Sequence, residues 1–251
     1  MMSRRGLHLL AIVLILLFTA CHQEGGDIST QLPDFSSYSD VNEKKLAFFN
    51  FLRPIVEAEN AKVRAERERM LALWQNLDQG RTISEADRHW LTELAKFYNI
   101  DSQAIDEEKL WLLLKRRVDT VPFRLALAQA ANESNWGTSR FAQEGLNLFG
   151  QWCFTPGCGL VPLKREEGLT HEVARYASVN ESVAAYIRSI NRVYMYTPLR
   201  ILRRNIRKRG EKPTALELAQ ELSGYSERGK DYVKEIEEMI RLNYDLMAGK
   251  G

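Results

Sequence analysis

Side chains that hold metals are scarce in this sequence. It has 3 cysteines and 4 histidines among 251 residues. The histidines do not cluster, and a structural zinc normally takes about four ligands. Only His171 lies near the pair Cys153 and Cys158, so neither a metal site nor a cofactor is expected. A bias of charge is lacking too: 35 basic residues nearly cancel 33 acidic ones, leaving +2. That balance excludes a nucleic-acid footprint over the whole chain. Long apolar runs are missing as well. The run over residues 7–18, broken by His8, falls short of the roughly 20 apolar residues a membrane span needs. No internal repeat or low-complexity tract appears, which sets aside repeat architectures.

What is present begins with an address. Arg4 and Arg5 precede the short apolar run, and Thr19, Ala20 and Cys21 follow it. A charged start, an apolar core and a small-residue cleavage site describe a secretory signal. The cysteine after Thr19-Ala20 looks like a bacterial lipobox, with Phe18 where that pattern prefers leucine. Residues 1–20 are therefore expected to be a lipoprotein-type signal and Cys21 the lipidated residue. His22, in place of aspartate, resembles the outer-membrane sorting pattern. A plain periplasmic protein or an uncleaved anchor is the alternative. Residues 21–41, rich in Gly, Ser, Asp, Gln and Pro, read as a tether. In an oxidising periplasm Cys153 and Cys158 could close a small loop.

The rest of the chain is mainly helical in pattern. Residues 42–78 carry Leu46, Phe49, Leu52, Ile55, Val56, Val63, Met70, Leu71 and Trp74 near one stripe, with Pro54 as an expected kink. Ser84 and Asp87 form a capping box for a second helix through Phe97. A third runs from Leu110 towards Val118, and a fourth starts at Pro122 and ends near Gly137, which suits a left-handed stop. The helical period then disappears over residues 145–177. Strands at 160–164 and 172–176, flanking Glu166-Glu167-Gly168, read as a β-hairpin. Helices resume at the capping pair Ser178 and Glu181. The basic run Arg200, Arg203, Arg204, Arg207, Lys208 and Arg209 reads as the solvated face of a helix. Contact with an anionic polymer or lipid surface is its alternative. The expected units are an N-terminal helical region, 42–118, and a second unit, 119–248.

Glu133 is the residue with the strongest chemical signal. It is a single acid at the end of a helix of small apolar residues, followed by Trp136 and Gly137. A carboxyl there is partly desolvated, which raises its pKa. A proton retained near neutrality is what a general acid needs. An ordinary helix-terminal surface acid is the bland alternative.

Ala128-Gln129-Ala130, Glu133-Ser134, Trp136-Gly137 and then Asn147-Leu148-Phe149-Gly150 together resemble the signature of the glycoside hydrolase family 73 glucosaminidases. The likeness covers residues 121–246. A closer likeness to one bacterial member of that group, carried by residues 147–163 and their two cysteines, extends through the N-terminal helices. The resemblance implies a lysozyme-like helical lobe with a small β-hairpin lobe, preceded by N-terminal helices. It also implies hydrolysis of the β-1,4 link after N-acetylglucosamine in peptidoglycan, with Glu133 as general acid. A second acid is implied in the hairpin, where Glu166, Glu167 and Glu172 are available and Glu166, expected to close the first strand, is preferred. The family's Gly-Tyr motif falls on Gly224-Tyr225, so Tyr225 inherits its role, while Tyr232 supports helix packing or substrate binding. Trp136, Asn147 and Phe149 are the other expected substrate contacts. Periplasmic residence, with an outer-membrane lipid anchor at Cys21, fits that substrate. A lytic transglycosylase and a catalytically idle peptidoglycan-binding scaffold are the rival readings.

Overall fold

A computed structural model describes residues 28–103 and 106–250. The expected signal segment, the lipidated Cys21 and the first part of the tether lie outside the described residues. Within them the protein is mainly α, with nine α-helices and one three-stranded sheet. No described helix is long and apolar enough to cross a membrane.

The 38-residue α1 (Val41–Asp78) starts where Asp40 accepts the Asn42 and Glu43 amides. At 1.5 Å per residue it extends about 57 Å, and it runs through Pro54 without interruption. Its length lets it serve two cores. Phe48, Phe49, Leu52, Ile55 and Val56 pack with α4 (Phe123–Glu133), α6 (Val179–Arg192), α8 (Ala215–Ala219) and α9 (Lys230–Leu242) in the main core. Met70 and Leu73 pack with α2 (Glu85–Phe97) and α3 (Glu107–Arg117) in a second one. The two cores thus part in the middle of α1. From Ile28 onward the segment read as a tether touches the body. Phe35 is buried against Phe48 and Phe51, and Ser29 exchanges backbone and side-chain hydrogen bonds with Val179 and Asn180. A fully buried aromatic ring ties this stretch to the body.

The β-lobe is a sheet, not a simple hairpin. β1 (Trp152–Cys153) and β2 (Gly159–Leu160) both pair antiparallel with the central β3 (Glu172–Ala174). The expected strand 160–164 stops at Leu160, because Pro162 cannot donate to a ladder. Glu166 therefore closes no strand and lies in the exposed loop 161–171. Cys153 and Cys158 are joined by a disulfide, their Cα atoms 6.2 Å apart.

The basic run in α7 (Thr197–Lys208) is the largest departure from expectation. Arg200 and Arg203 are 0% exposed. Arg200 donates to the Ile190 and Val193 carbonyls at 2.7 and 2.8 Å, closing the C-terminal end of α6. Arg203 donates to the Arg116 and Thr120 carbonyls and to Asn191 Oδ1. Asp119, 1% exposed, faces Arg207 at 2.6 Å and Arg67 and Arg203 at 3.7 Å. Burial lowers Arg200 to about 9 and Arg203 to about 10, so both remain cationic at neutral pH. Arg204, Arg207, Lys208 and Arg209 keep surface exposure.

Candidate active site

α4 can run through the middle of the core because its residues are small. Every residue from 125 to 131 is buried, four of them alanine. The helix consequently delivers its last residue, Glu133, from inside the protein. Ser134 ends it: its hydroxyl donates to the Ala130 carbonyl at 2.6 Å and accepts the Gly137 amide at 2.7 Å. Asn135, Trp136 and Gly137 then follow with φ of 50°, 58° and 76°. Two non-glycine residues in the left-handed region store strain beside the acid. At Gly137 a Cβ would stand 2.7 Å from the Phe35 ring, so glycine is required there for space as well as for φ.

The Glu133 carboxyl lies where the helical lobe meets the chain leading into the β-lobe. Gly150, at φ 64°, turns its backbone so that even an added Cβ would sit 3.6 Å from Oε2. The other oxygen, Oε1, is buried and meets no donor in good geometry. Tyr232 and Asn132 approach the carboxyl, and Tyr196 and Tyr225 are close enough to feel its charge. Arg228 and Glu235 act from further away and are bonded to each other at 2.6 Å. Burial is the main influence and raises the Glu133 pKa; the polar groups of Tyr232 and Asn132 and the charge of Arg228 oppose it. The tyrosines respond in kind. Burial and the nearby carboxyl push Tyr196 up to about 12. Tyr225 and Tyr232 move the same way.

Tyr225 is half-buried, stacks on Tyr232 with ring centroids 5.3 Å apart and donates its hydroxyl to the Phe149 carbonyl at 2.9 Å. The structure thus brings Glu133, Tyr225 and the Asn147-to-Gly150 turn together. Four expected substrate contacts are engaged with other parts of the protein. Asn147 is buried and uses its whole amide on the turn: Nδ2 donates to the Gln151 and Ala174 carbonyls, and Oδ1 accepts the Phe149 and Gln151 amides. Phe149 is buried in a 4.1 Å stack on Tyr186, and Tyr232 is buried in the core. Trp136 lies edge-on to Phe48 and Phe49, with the Lys45 ammonium 5.5 Å from its ring centre. Asn147, Phe149 and Tyr232 are thus buried, while Trp136 is half-buried.

The hairpin acids sit in two settings. Glu166 and Glu167 are exposed in the loop. Glu172 is buried and accepts the Gly157 and Gly159 amides at 3.0 and 2.8 Å, which lowers its pKa. Among the described residues one group has metal-ligand spacing, Cys153, Cys158 and Glu172. Its thiols are consumed by the disulfide. A cavity of 790 Å³ lies at the other end of α4, lined by Arg64, Phe123, Arg124, Lys212 and Tyr244 among others. Glu133 does not line it, so cavity size alone would misplace the chemistry.

Sequence reasoning quoted Gln129 and Ser134 only as signature positions, without a role, and missed Tyr186 and Tyr196 as members of this constellation. A glutamine amid buried alanines was the available signal for Gln129; the tyrosines carried none.

Residues 109–245 match the family model Glucosaminidase, described as mannosyl-glycoprotein endo-beta-N-acetylglucosaminidase. The chain is similar to Protein bax of Escherichia coli (strain K12), with 33% identity over 220 residues, 88% of this chain and 77% of that protein. No solved structure matches the chain significantly.

Proposed function

This chain belongs to the glucosaminidase family, and from that premise we propose that it hydrolyses the β-1,4 link after N-acetylglucosamine in peptidoglycan, with Glu133 as general acid. One observation carries the reading: a half-buried carboxyl with a raised pKa, one oxygen unpartnered, at the junction of the two lobes. A raised pKa favours the protonated form, the form that can give its proton to the leaving oxygen.

Tyr225 has its hydroxyl proton committed to Phe149. Its oxygen lone pairs are left to face positive charge that develops on the sugar ring. Trp152 takes over the stacking role expected of Trp136. It is 56% exposed, lies on β1 two residues beyond Gly150, and its ring is braced by His171 at 4.0 Å. Water is activated by Glu166 after movement of its loop, or the substrate's own acetamide attacks first. The commitment of Glu172 to two backbone amides favours a second reading, lytic transglycosylation, which needs no second acid. Export and lipidation of Cys21 would hold the enzyme in the periplasm, anchored in the outer membrane facing its polymer.

Digestion of purified sacculi tests the reading. Products whose new reducing ends have gained water are expected, and anhydro ends would replace hydrolysis by transglycosylation. Glu133→Gln should abolish cleavage while retaining sacculus binding. A wild-type protein that binds but cleaves no sacculus preparation would leave a scaffold.

A further inference from the structure

The cavity of 790 Å³ at the Phe123 end of α4 is left unused by the proposed reaction. Four cationic side chains line it: Arg64 on α1, Arg124 on α4, Arg207 on α7 and Lys212 before α8. Their employment differs. Arg207 is spent on Asp119 at 2.6 Å and on the Thr120 hydroxyl at 3.1 Å. Arg64, Arg124 and Lys212 form no ion pair among the described residues. Arg124 is nonetheless fixed in place. Its guanidinium lies 4.7 Å from the Phe123 ring centre and 3.8 Å from the Tyr244 ring centre, and its Nε donates to the Tyr244 carbonyl at 3.2 Å. A guanidinium braced by rings, with its terminal nitrogens uncommitted, is pre-organised for a carboxylate. Glu57 is the one acid among the lining residues, so the space carries an excess of positive charge. Between the charges the wall is apolar, formed by Val121, Phe123, Leu216 and Ile240.

We propose that this cavity binds an acidic stem peptide of peptidoglycan, with its carboxylates on Arg64, Arg124 and Lys212 and its small apolar side chains on the wall between them. The choice of occupant rests on the reading of the protein as a peptidoglycan hydrolase. A short acidic peptide answers both features of the space. Its carboxylates match the three cations, and an amine on it matches Glu57. A small inorganic anion would leave the apolar wall uncovered, and an uncharged sugar would leave the cations unmatched. The volume suits a ligand of a few residues, since cavities of about 300–1,000 Å³ enclose molecules of that size. Reach agrees as well. The 11 residues of α4 separate the cavity from Glu133, a length of about 16 Å. An extended peptide of about five residues spans roughly 17 Å. The sugar would thus be handled at the junction of the lobes, and its peptide decoration at the far end of α4.

Titration calorimetry on the full chain tests this with a synthetic stem pentapeptide free of sugar. The same peptide with its carboxylates amidated, and inorganic phosphate, are the comparison probes. The acidic peptide is expected to bind, the amidated one at least about tenfold more weakly, and phosphate should not displace it. Arg64 and Lys212 are exposed, so Arg64→Gln with Lys212→Gln leaves the core untouched. That double variant should weaken peptide binding about tenfold, and Arg124→Gln about as much or more. Should Arg124→Gln not fold, the double variant decides alone. Absent peptide binding, a Kd unmoved in the double variant, or equal binding of the amidated peptide would each overturn the proposal. Displacement by phosphate would overturn it too, by showing a site for small anions. The two ideas fail separately, because peptide binding is read without cleavage and should persist in Glu133→Gln. Cleavage that survives Glu133→Gln removes the general acid and leaves the cavity site standing. An unmoved Kd removes the cavity site and leaves the general acid standing.

Discussion

Asp119 and Glu133 stand at the two ends of the α4 segment, and both bury a carboxylate, yet their surroundings are opposite. Asp119 faces three guanidinium groups, from α1 and α7, at 2.6 to 3.7 Å. Among the described residues no cation forms an ion pair with Glu133; Arg228, whose charge acts on it, is already bonded to Glu235. A carboxylate matched by cations ties elements together. A carboxylate taken from water without a match is pushed toward its protonated form. The first arrangement joins α1, α3 and α7 across the sequence. The second leaves an acid able to exchange its proton.

The sharpest way to break this contrast is Glu133→Gln. Loss of a general acid should lower kcat/KM about 100- to 10,000-fold. The wild-type rate should fall as pH rises through the raised Glu133 pKa. Stability follows the same sign. A carboxyl whose pKa is higher in the folded protein contributes stability below its unfolded pKa, and that contribution is lost as pH rises through the folded value. Glu133→Gln should therefore gain Tm relative to wild type between mildly acidic and neutral pH. A constant difference across that range would contradict the burial argument.

Asp119→Asn should do the reverse. It leaves three guanidinium groups without their counter-charge, and removing one partner of a buried charge cluster costs about 3–5 kcal/mol. Thermal and urea unfolding would measure it. The contrast breaks if the folded variant loses activity per molecule while its Tm is unchanged.

A smaller effect is expected on the β-lobe. Opening the disulfide by Cys153→Ser and Cys158→Ser releases a loop with a sequence separation of 5, worth about 2 kcal/mol by loop entropy. Calorimetry with and without reductant would register it in the wild type and not in the double variant. The smallest effect belongs to Trp152→Ala. Loss of a stacking contact should raise KM roughly twofold to tenfold with kcat little changed. An unaltered KM would remove Trp152 from the substrate path.

Much of the helical framework was legible from local rules. Ser84 and Ser178 do cap α2 and α6, each accepting the amide three residues on, and Pro122 does open α4. The β-lobe was legible only as a break in the helical period, since strands of two or three residues are too short to show alternation. Arg200 and Arg203 were misread because guanidinium groups are normally solvated. What buries them is a set of carbonyl ends: for Arg200 those at the close of α6, and for Arg203 those of α3 and the 119–120 turn, far away in sequence. The same reason explains Asn147, Phe149, Trp136 and Tyr232. A motif shows that residues recur together, but not which of them face the ligand and which hold the others in place.

The sequence by itself determined the family, the helices and the unusual placement of one acid at the end of an alanine-rich helix, because capping, periodicity and side-chain size act over a few neighbouring residues. Only the tertiary structure decided that the acid would lack a cation, that three tyrosines would surround it and that the arginines would turn inward. Those outcomes depend on groups up to about a hundred residues apart meeting in a medium of low polarity, where the pairing of each charge sets its protonation.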